Sequence, residues 1–427
     1  MSFMSYEWFP SNAAQWMSAF SFYYPLFMAW VWIAGALYYW RQYERHMPPI
    51  NKPPELKDKP KVAVLVPCRN EEDNVYETTR AVLASKYPNL EVIVIDDASN
   101  DSTGAILDVM AMRSRRLRVV HLEENQGKAN GLNTAIALTD ASIIVVIDGD
   151  ALLHPWALHW LVWHFRWARV GAVTGNPRIR TRSTLLGSLQ VGEFSSTIGL
   201  IKRAQRTYGR VFTVSGVVAA FRRTALHDVG YFSADMLTED VDVSWKLQMA
   251  HWDVRFEPNA LCWILMPETL RGLWKQRLRW ATGGTQVLRK NLRALMRWRQ
   301  RRMWPVFIEY ATSVAWAYTM FILCLCWLFG TVLGLPVPIY VETLLPQWTG
   351  VIVGTTCLIQ IAVGLALDAR HEKGLRRTYW WMIWYPLAYW TLSMFTTIVG
   401  LPKALARQKG ETARWASSDR GISPAVR

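Results

Sequence analysis

Several signatures that would assign this chain to a common class are missing from its 427 residues. The five cysteines are scattered and three lie in apolar runs, so the sequence indicates neither a disulfide framework nor a cysteine metal site. It contains no zinc-finger spacing and no RNA-recognition signature. It also lacks a P-loop and a GxGxxG sequence, which argues against an ATPase or a dinucleotide-binding protein. No internal repeat or long low-complexity segment is present.

What the chain has in excess is basic charge and tryptophan. Lysine and arginine number 48 against 33 aspartate and glutamate, which gives a formal charge of +15. Without nucleic-acid signatures, we interpret this charge as attraction to anionic lipid and to a phosphate-rich substrate, with no nucleic acid as partner. The 24 tryptophans cluster in hydrophobic and juxtamembrane stretches, where indole rings favour the bilayer interface. The lipid bilayer is therefore a predicted partner.

Four uncharged stretches are long enough to cross a bilayer. They are Phe20–Trp40, Tyr310–Leu335, Thr343–Leu367 and Tyr379–Pro402. The residues before the first stretch are not basic, and Arg41 and Arg45 follow it at once. The positive-inside rule therefore places the N-terminus outside and the next region in the cytoplasm. Four crossings would leave the basic tail after Lys403 outside, although its charge favours the inside. Either Pro386 breaks the last stretch into a re-entrant hairpin, or the tail is translocated.

The chain is predicted to consist of five regions. They are an N-terminal segment with a transmembrane helix (1–47), a cytoplasmic α/β domain (48–260), interfacial amphipathic helices (261–305), transmembrane helices (306–402) and a basic tail (403–427). The interfacial assignment depends on the mixed aromatic and basic residues between Trp274 and Trp304.

The first half of the α/β domain alternates strand and helix patterns. Short apolar runs predict strands at Lys61–Pro67, Glu91–Ile95, Arg118–Leu122 and Ser142–Ile147. Helical periodicity predicts helices at Glu72–Ser85, Ser102–Arg116 and Lys128–Thr139. Near-continuous apolar strands separated by helices indicate a parallel sheet covered on both faces. Ligands of such sheets bind at the carboxyl ends of the strands.

Acidic residues follow two of these strands. Asp96 and Asp97 end the second strand, where aspartate is common as a turn former and where it could also bind a nucleoside. Asp148 and Asp150 follow the fourth strand and flank Gly149, which allows a tight backbone. Mg²⁺ and Mn²⁺ prefer carboxylate and phosphate oxygens. We therefore interpret Asp148 and Asp150 as a metal site for a diphosphate rather than as a solvated turn.

The turn Asn125–Lys128 lies between a strand and a helix. Its backbone amides could face a diphosphate, and Lys128 could neutralise it. Taken alone, this turn is more typical of a glycine turn with a surface lysine.

Thr238, Glu239 and Asp240 open a helical pattern. Thr238 is a suitable N-cap, and acids in a first turn favour the helix dipole, so a structural explanation is complete by itself. A carboxylate at this place could equally be the general base of an inverting sugar transfer. The presence of the other acidic motifs favours Asp240 as the base.

Gln276, Arg279 and Trp280 share one face of a helix by their spacing. Arginine can bind a diphosphate through paired hydrogen bonds, and tryptophan offers a flat apolar platform for a sugar ring. The alternative is an interfacial helix anchored by its tryptophan and arginine side chains. Both interpretations can hold, because they use different faces of the helix.

In this order, the motifs resemble those of the membrane-embedded glycosyltransferases of family 2, which include the cellulose, hyaluronan, chitin and poly-N-acetylglucosamine synthases. The matching residues are Asp97, Asp148-x-Asp150, Thr238–Asp240 and Gln276-x-x-Arg279-Trp280. The resemblance covers nearly the whole chain and is greatest to the bacterial poly-N-acetylglucosamine synthases. It is carried there by three longer runs, Val173–Arg182, Val211–Arg223 and Leu261–Trp280.

The resemblance implies a GT-A-type α/β domain with a Rossmann-like sheet, joined to an α-helical transmembrane region of the bacterial inner membrane. It implies processive, inverting transfer from UDP-N-acetylglucosamine to a growing polysaccharide that is exported. By this resemblance, Glu71, Asp96 and Asp97 would contact uridine, and Asp148 and Asp150 would bind the diphosphate and Mg²⁺ or Mn²⁺. Asp240 would be the base. Gln276, Arg279 and Trp280 would bind the diphosphate and the acceptor, and Val214–Val217 would line the acceptor site.

One departure from the family concerns regulation. Cellulose synthases carry a cyclic-di-GMP-binding domain after their last membrane segment, whereas too few residues follow Pro402 here. The resemblance instead implies a small membrane partner subunit that shares regulation, with cyclic-di-GMP as a candidate effector. Two alternatives stay open: a hyaluronan, cellulose or chitin type of synthase, and a non-processive transferase onto a lipid phosphate, which needs no platform at Trp280.

Overall fold

The computed structural model describes residues 13–341, 348–408 and 410–413. Within them, eight strands form one sheet in the order β3-β2-β1-β4-β7-β6-β8-β5. The strands are β1 Val62–Cys68, β2 Leu90–Asp96, β3 Leu117–His121, β4 Ile143–Ile147, β5 Leu152–Leu153, β6 Val170–Ile179, β7 Val218–Arg222 and β8 Asp253–Ile264. The α-helices are α1 Ala13–Tyr39, α2 Val75–Leu83, α3 Thr103–Arg113, α4 Lys128–Ala137, α5 Ala157–Trp163, α6 Leu185–Glu193, α7 Leu200–Thr207, α8 Arg223–Asp228, α9 Glu239–Met249, α10 Leu270–Leu295, α11 Trp304–Trp327, α12 Trp348–Asp368 and α13 Tyr385–Ala406.

The first four strands form the parallel half of the sheet. β1 pairs in parallel with both β2 and β4, and β2 pairs in parallel with β3. The register sets Cys68 opposite Asp96, so the carboxyl ends of these strands lie at one edge. Each predicted strand is confirmed to within two residues at either end, and α2, α3 and α4 occupy the predicted helical stretches.

The second half of the sheet is mixed. β7 pairs antiparallel with β4 and β6, whereas β6 and β8 are parallel. The short β5 closes the edge antiparallel to β8. β8 continues to Ile264, so the sheet extends beyond residue 260 and leads directly into the segment before α10.

Apolar cores cover both faces of the sheet. Along β1, Val62, Val64 and Val66 pack into one cluster, while Ala63 and Leu65 pack into the other. Such alternation follows from the two-residue period of a strand, and burial on both faces explains why the strand sequences are continuously apolar. The predicted two-faced coverage is confirmed.

Three helices in the described residues are long and apolar enough to cross a membrane. They span Gln15–Glu44, Trp298–Val332 and Trp348–Asp368. They match the first three predicted crossings, although the start of the third prediction falls partly in residues 342–347, outside the described part of the chain.

The fourth predicted crossing, Tyr379–Pro402, corresponds mainly to α13, Tyr385–Ala406. Pro386 lies in the first turn of α13, which then continues unbroken to Ala406. Of the two alternatives for this stretch, the structure therefore contradicts the hairpin broken at Pro386. Proline is tolerated in a first helical turn because the amide it lacks would have no helical partner there. α13 lies along α10: a Cβ at Gly400 would be 3.1 Å from the Cβ of Ala281, and Arg289 donates to the carbonyl of Ala404 at 3.0 Å.

A buried ionic cluster joins the membrane helices to the sheet. Arg203 of α7 bonds Glu44 at 2.7 Å and Asp368 at 2.9 Å, and Asp368 also contacts Arg178 of β6. All four side chains are almost fully buried. Removing one partner from such a set leaves an uncompensated buried charge, at a cost of about 3–5 kcal/mol. The cluster therefore fixes how the sheet domain sits on α1 and α12.

Candidate active site

The two strand-end acidic motifs lie at the same edge of the sheet, because β2, β1 and β4 are parallel neighbours. Asp148 follows β4, and its Oδ1 accepts a hydrogen bond from Lys128 Nζ at 2.6 Å. Lys128 is the first residue of α4, and it also contacts Glu239 Oε1 at 3.2 Å. The interpretation of Lys128 as a surface side chain is therefore wrong: it bridges two acidic motifs that are distant in sequence.

Lys128 remains protonated and positively charged in this environment. Burial disfavours the ammonium form, but Asp148 and Glu239 outweigh this and raise the pKa of Lys128 above its ordinary value. A lysine that is charged at every physiological pH and touches the strand-end carboxylate is suited to binding a diphosphate beside it.

Asp97 organises the turn before α4. Its two carboxylate oxygens accept backbone hydrogen bonds from Gln126 at 2.8 Å and from Gly127 at 3.0 Å. Gly127 has φ +82°, a left-handed conformation that glycine adopts without strain. Sequence reasoning missed this role, since Asp97 and Gly127 are 30 residues apart. A uridine contact of Asp97 stays a prediction.

Asp96 is confirmed as a turn former, and Glu71 lies nearby. Asp96 Oδ1 accepts the amide of Ser99 at 3.0 Å, and Oδ2 is 3.0 Å from His121 Nδ1. Glu71 is buried beside the next acidic turn: a Cβ at Gly149 would be 3.3 Å from its Cγ. This places Glu71 next to the predicted metal motif. Uridine contacts of Asp96 and Glu71 also stay predictions.

The predicted metal motif is a pair of carboxylates rather than a complete cage. In the described ranges, no group of three or more His, Cys, Asp or Glu side chains is arranged to hold a metal ion. Asp148 and Asp150 nevertheless lie together, on either side of Gly149 directly after β4. Two carboxylates, completed by phosphate oxygens of the ligand, fit a magnesium or manganese ion that arrives with a diphosphate.

Asp240 is the acid whose environment best suits a base. Burial and then the neighbouring Glu239 raise its pKa to about 6, while Lys128 and Arg279 oppose the shift. A carboxylate with a pKa close to physiological pH is a better proton acceptor than one with the ordinary value. Gly216 passes directly over it, since a Cβ there would be 3.1 Å from Asp240 Oδ2. Any larger residue at position 216 would fill this space.

The structural explanation of this motif is only partly confirmed. Thr238 occupies the N-cap position of α9, but its side chain makes no capping hydrogen bond. It packs instead against α10, where a Cβ at Gly283 would be 2.4 Å from Thr238 Oγ1. The motif therefore contributes a contact between α9 and α10 rather than a side-chain cap.

α10 brings the third motif to the same region. Arg279 donates to the carbonyl of Leu237, immediately before α9, at 3.4 Å. Gln276 Nε2 contacts the sulfur of Met266, and its Oε1 is buried without a hydrogen-bond partner among the described residues. Trp280 is half-buried against the main core. It is therefore packed within the protein, which contradicts a role as a lipid anchor only.

Arg277 and Glu193 are site residues that sequence reasoning missed. The guanidinium of Arg277 lies 4.3 Å from the ring centre of Trp280, and it bonds the buried Glu193 of α6 at 2.8 Å. A cation held over one face of an indole orients the ring and leaves its other face for a ligand. The i, i+3 spacing of Arg277 and Trp280 indicates that they share a helix face, but the sequence does not indicate that Arg277 pairs with a residue of α6.

The segment Val214–Val217 borders the same space. The amide of Ser215 donates to Thr174 Oγ1 at 2.8 Å, and the buried Lys202 donates to the same oxygen at 3.2 Å. Burial lowers the pKa of Lys202 to about 8, although the charge of Asp240 opposes the shift. Lys202 was another residue that the sequence gave no reason to select.

The fold and the site together define a class. A mixed α/β sheet carries, at one edge, a carboxylate pair suited to a metal-bound diphosphate, a lysine beside it and a separate carboxylate with a raised pKa. This is the arrangement of a GT-A-fold glycosyltransferase that uses a nucleotide-linked sugar.

Comparison with known proteins identifies the family. The model of "Glycosyltransferase like family 2" matches residues 60–283. The chain is 36% identical over 419 residues to the poly-beta-1,6-N-acetyl-D-glucosamine synthase of Staphylococcus epidermidis, covering 95% of this chain and 99% of the relative. It is 38% identical over 405 residues to the enzyme of the same name from Staphylococcus aureus, covering 94% and 98%. The chain therefore belongs to glycosyltransferase family 2.

A solved structure confirms the fold. The chain is similar to the mannosyltransferase PcManGT from Pyrobaculum calidifontis, solved in complex with GDP-Man and Mn²⁺. The TM-score is 0.62 at 23% identity, with coverage of 92% of this chain and 98% of that one. At this identity the likeness establishes the fold alone. The predicted GT-A-type domain with membrane helices is confirmed.

Proposed function

We propose that this enzyme is a processive, inverting synthase that polymerises N-acetylglucosamine from UDP-N-acetylglucosamine into a β-1,6-linked polysaccharide. The names of the relatives, which align with 94–95% of the chain, support the sugar and the linkage. The observation that carries polymerisation is the position of Trp280: it lies on α10 beside Arg279, which reaches the loop before Asp240. A platform next to the base is what a growing chain end needs.

The proposed reaction is a single displacement. Asp240 takes the proton from the 6-hydroxyl of the acceptor's terminal sugar, and that oxygen forms a bond to C1 of the donor. The bond from C1 to the diphosphate oxygen breaks, and UDP leaves with the electron pair. Attack from the face opposite the leaving group inverts an α-linked donor to a β-linked product.

The leaving group needs positive charge. Asp148 and Asp150 would hold Mg²⁺ or Mn²⁺, which supplies that charge to the diphosphate when bound. Lys128 of α4 and Arg279 of α10 add their own positive charges, and both lower the pKa of Asp240. Glu71, Asp96 and Asp97, with their backbone turns, would hold the uridine, and Gln276 would bind beside the diphosphate.

Export would use a cavity of about 150 Å³ among the membrane helices. It lies between α1, α11, α12, α13 and the helical turn Phe194–Gly199, and it is lined by aromatic side chains including Tyr24, Trp316, Tyr389 and Trp390. Tyr385, which also lines the cavity, packs against the same core cluster as Trp280. Aromatic rings would therefore continue from the acceptor platform into the cavity, and sugars can stack on each of them.

The topology that fits is three crossings of the bacterial inner membrane. With the N-terminus outside, α1, α11 and α12 place the catalytic domain inside and return the chain to the cytoplasm. α13 contacts α11 through Trp390 and Trp316 and packs along α10. We place its C-terminal end on the cytoplasmic side, with the basic tail internal as its charge requires. A small membrane partner subunit and regulation by cyclic-di-GMP remain part of this proposal on the strength of the family resemblance.

Donor choice tests the proposed function. Membranes containing the enzyme should incorporate label from UDP-N-acetylglucosamine into polymer, and should not do so from UDP-glucose, UDP-glucuronic acid or UDP-galactose. Membranes with the Asp240→Asn variant are the matched control for other transferases. Preferred incorporation of any other sugar would contradict the proposed substrate.

Trp280→Ala should abolish chain extension while donor hydrolysis continues. Stacking on an indole contributes about one to a few kcal/mol, enough to release a growing end between additions. Polymer length and UDP release are measured on the same preparation. Trp298→Ala is the matched control, since Trp298 is 69% exposed and lies outside the site. Normal polymer from the Trp280 variant would show that this ring is structural only.

The acid side of the pH–rate profile should have its midpoint near pH 6. Asp240 accepts a proton only when ionised, so activity is lost as the pH falls through its pKa of about 6. Glu239→Gln removes a negative charge that raises this pKa, so the midpoint should move to lower pH. Glu55→Gln changes an exposed acid and should leave the midpoint in place. An unmoved midpoint in the Glu239 variant would show that another group limits the rate.

A further inference from the structure

A second cationic pocket lies away from the active site, at the amino-terminal end of β6 and β8. It is an open pocket of about 490 Å³, and its lining includes Trp167, Arg169, Arg210, His251, Arg255 and Arg302. Since β6 is antiparallel to β7 and β7 is antiparallel to β4, this end of the sheet is opposite the carboxyl end of β4, where Asp148 lies. None of the proposed catalytic steps uses these residues.

The guanidinium groups in the pocket are incompletely neutralised. Asp253 is the one carboxylate in the lining, and it is shared between Arg255 at 2.8 Å and Arg206 at 3.1 Å. Arg169 donates to the carbonyl of His251. The guanidinium groups of the pocket repel one another, and a bound anion would offset this repulsion.

Arg210 is a buried member of this group, and its Nη1 donates to the carbonyl of Gly209 at 2.8 Å. It is only 9% exposed, and its Nε has no hydrogen-bond partner among the residues that the structure describes. Burial lowers the pKa of Arg210. The charge of Asp253 opposes this shift, whereas Arg302, Arg206 and Arg169 add to it. Arg210 lines the pocket, and a buried guanidinium with an unpaired donor is destabilising unless a ligand forms hydrogen bonds with the group.

Aromatic contacts fix the geometry of the pocket. The ring of Trp167 is covered by the guanidinium of Arg166 at 3.8 Å and by that of Arg255 at 4.2 Å. Arg255 is therefore held in place by Trp167 and Asp253 together, so the pocket is preorganised for a ligand.

The pocket is close to the membrane surface. Arg302 lies two residues before α11, which is part of a candidate membrane span. Tyr208, two residues before Arg210, donates to Glu309 of α11 at 2.7 Å. A headgroup at the cytoplasmic interface can therefore reach the pocket.

We propose that this pocket binds a phosphate group, with Arg210 and Arg302 as its main ligands. Guanidinium groups match phosphate oxygens through paired, charge-assisted hydrogen bonds. The phosphate could be the headgroup of an anionic phospholipid or a free phosphate, since the recognising chemistry is the same.

The test measures binding of short-chain phosphatidylglycerol to the purified full-length enzyme in detergent, with phosphatidylcholine as the zwitterionic control. The expected result is saturable binding of phosphatidylglycerol, which Arg302→Gln weakens by about tenfold, the effect of losing one charge-assisted hydrogen bond. Arg210→Gln should weaken it at least as much. If that buried variant fails to fold, the exposed Arg302 variant still decides the result.

Arg301→Gln is the matched control, because Arg301 has the same charge and is exposed beside Arg302 without lining the pocket. Its affinity should equal that of the unmodified enzyme. If inorganic phosphate displaces phosphatidylglycerol, any phosphate group is sufficient for binding. If it does not, the pocket recognises the lipid headgroup. Absence of saturable binding, unchanged affinity in the Arg302 variant, or an equal loss in the Arg301 variant would overturn the proposal.

Discussion

Asp240→Asn should reduce polymer synthesis by about 10² to 10⁴ while leaving UDP binding intact. Asparagine keeps the shape of the side chain and its hydrogen bond to the amide of Val241, but it cannot accept the acceptor's proton. The proposed nucleotide contacts lie elsewhere, on Asp97, Asp148 and Asp150. UDP affinity and polymer yield are measured on the same purified preparation.

Two further variants sharpen this result. Asp240→Glu keeps the charge but moves the carboxylate by one methylene, and a role that depends on attack geometry should still suffer strongly. Asp73→Asn changes an exposed acid outside the site and should leave activity unchanged. Near-normal synthesis by Asp240→Asn would reject the base, because asparagine is as good as aspartate near a helix start.

Removing the divalent cation should abolish activity. EDTA should stop polymer formation, and either Mg²⁺ or Mn²⁺ should restore it, because the carboxylate pair and a diphosphate together provide hard oxygen ligands. Asp150→Ala should give the same loss without restoration by added metal. The protein should remain in the membrane at normal abundance, which separates loss of chemistry from loss of folding.

The control for this variant is Asp58→Ala, an exposed acid before β1 that should remain fully active. Full activity of the unmodified enzyme in excess chelator would contradict the metal assignment. So would normal activity of Asp150→Ala, since Asp148 alone, engaged with Lys128 at 2.6 Å, leaves too few protein ligands for the ion.

The parallel half of the sheet could be predicted because its signals are local. Strands buried on both faces are continuously apolar, and β1 and β4 were recognisable from that property alone. Because the carboxyl ends of parallel strands lie at one edge of a sheet, the prediction that Asp97 and Asp148 lie close together needed no further information. The helix bearing Gln276, Arg279 and Trp280 was recognisable for the same reason, since spacing decides a helix face.

Contacts that depend on tertiary packing could not be predicted. Arg277 and Glu193 are 84 residues apart, and Lys128 reaches Glu239 across the sheet edge. The pairing of β6 with β8 also joins distant segments, and no turn signal connects them. The two alternatives at Pro386 stayed open for a different reason. A proline can start or break a helix, and only the path of α13 beside α10 decides which.

Analysis of the product tests the central claim most directly. Purified enzyme in phospholipid vesicles is supplied with UDP-N-acetylglucosamine and a divalent cation, and the product is examined by mass spectrometry and by linkage analysis. The account predicts a ladder of N-acetylglucosamine units joined through the 6-hydroxyl, with one UDP released per unit added. A single sugar attached to a lipid phosphate, or a polymer joined through another hydroxyl, would contradict it.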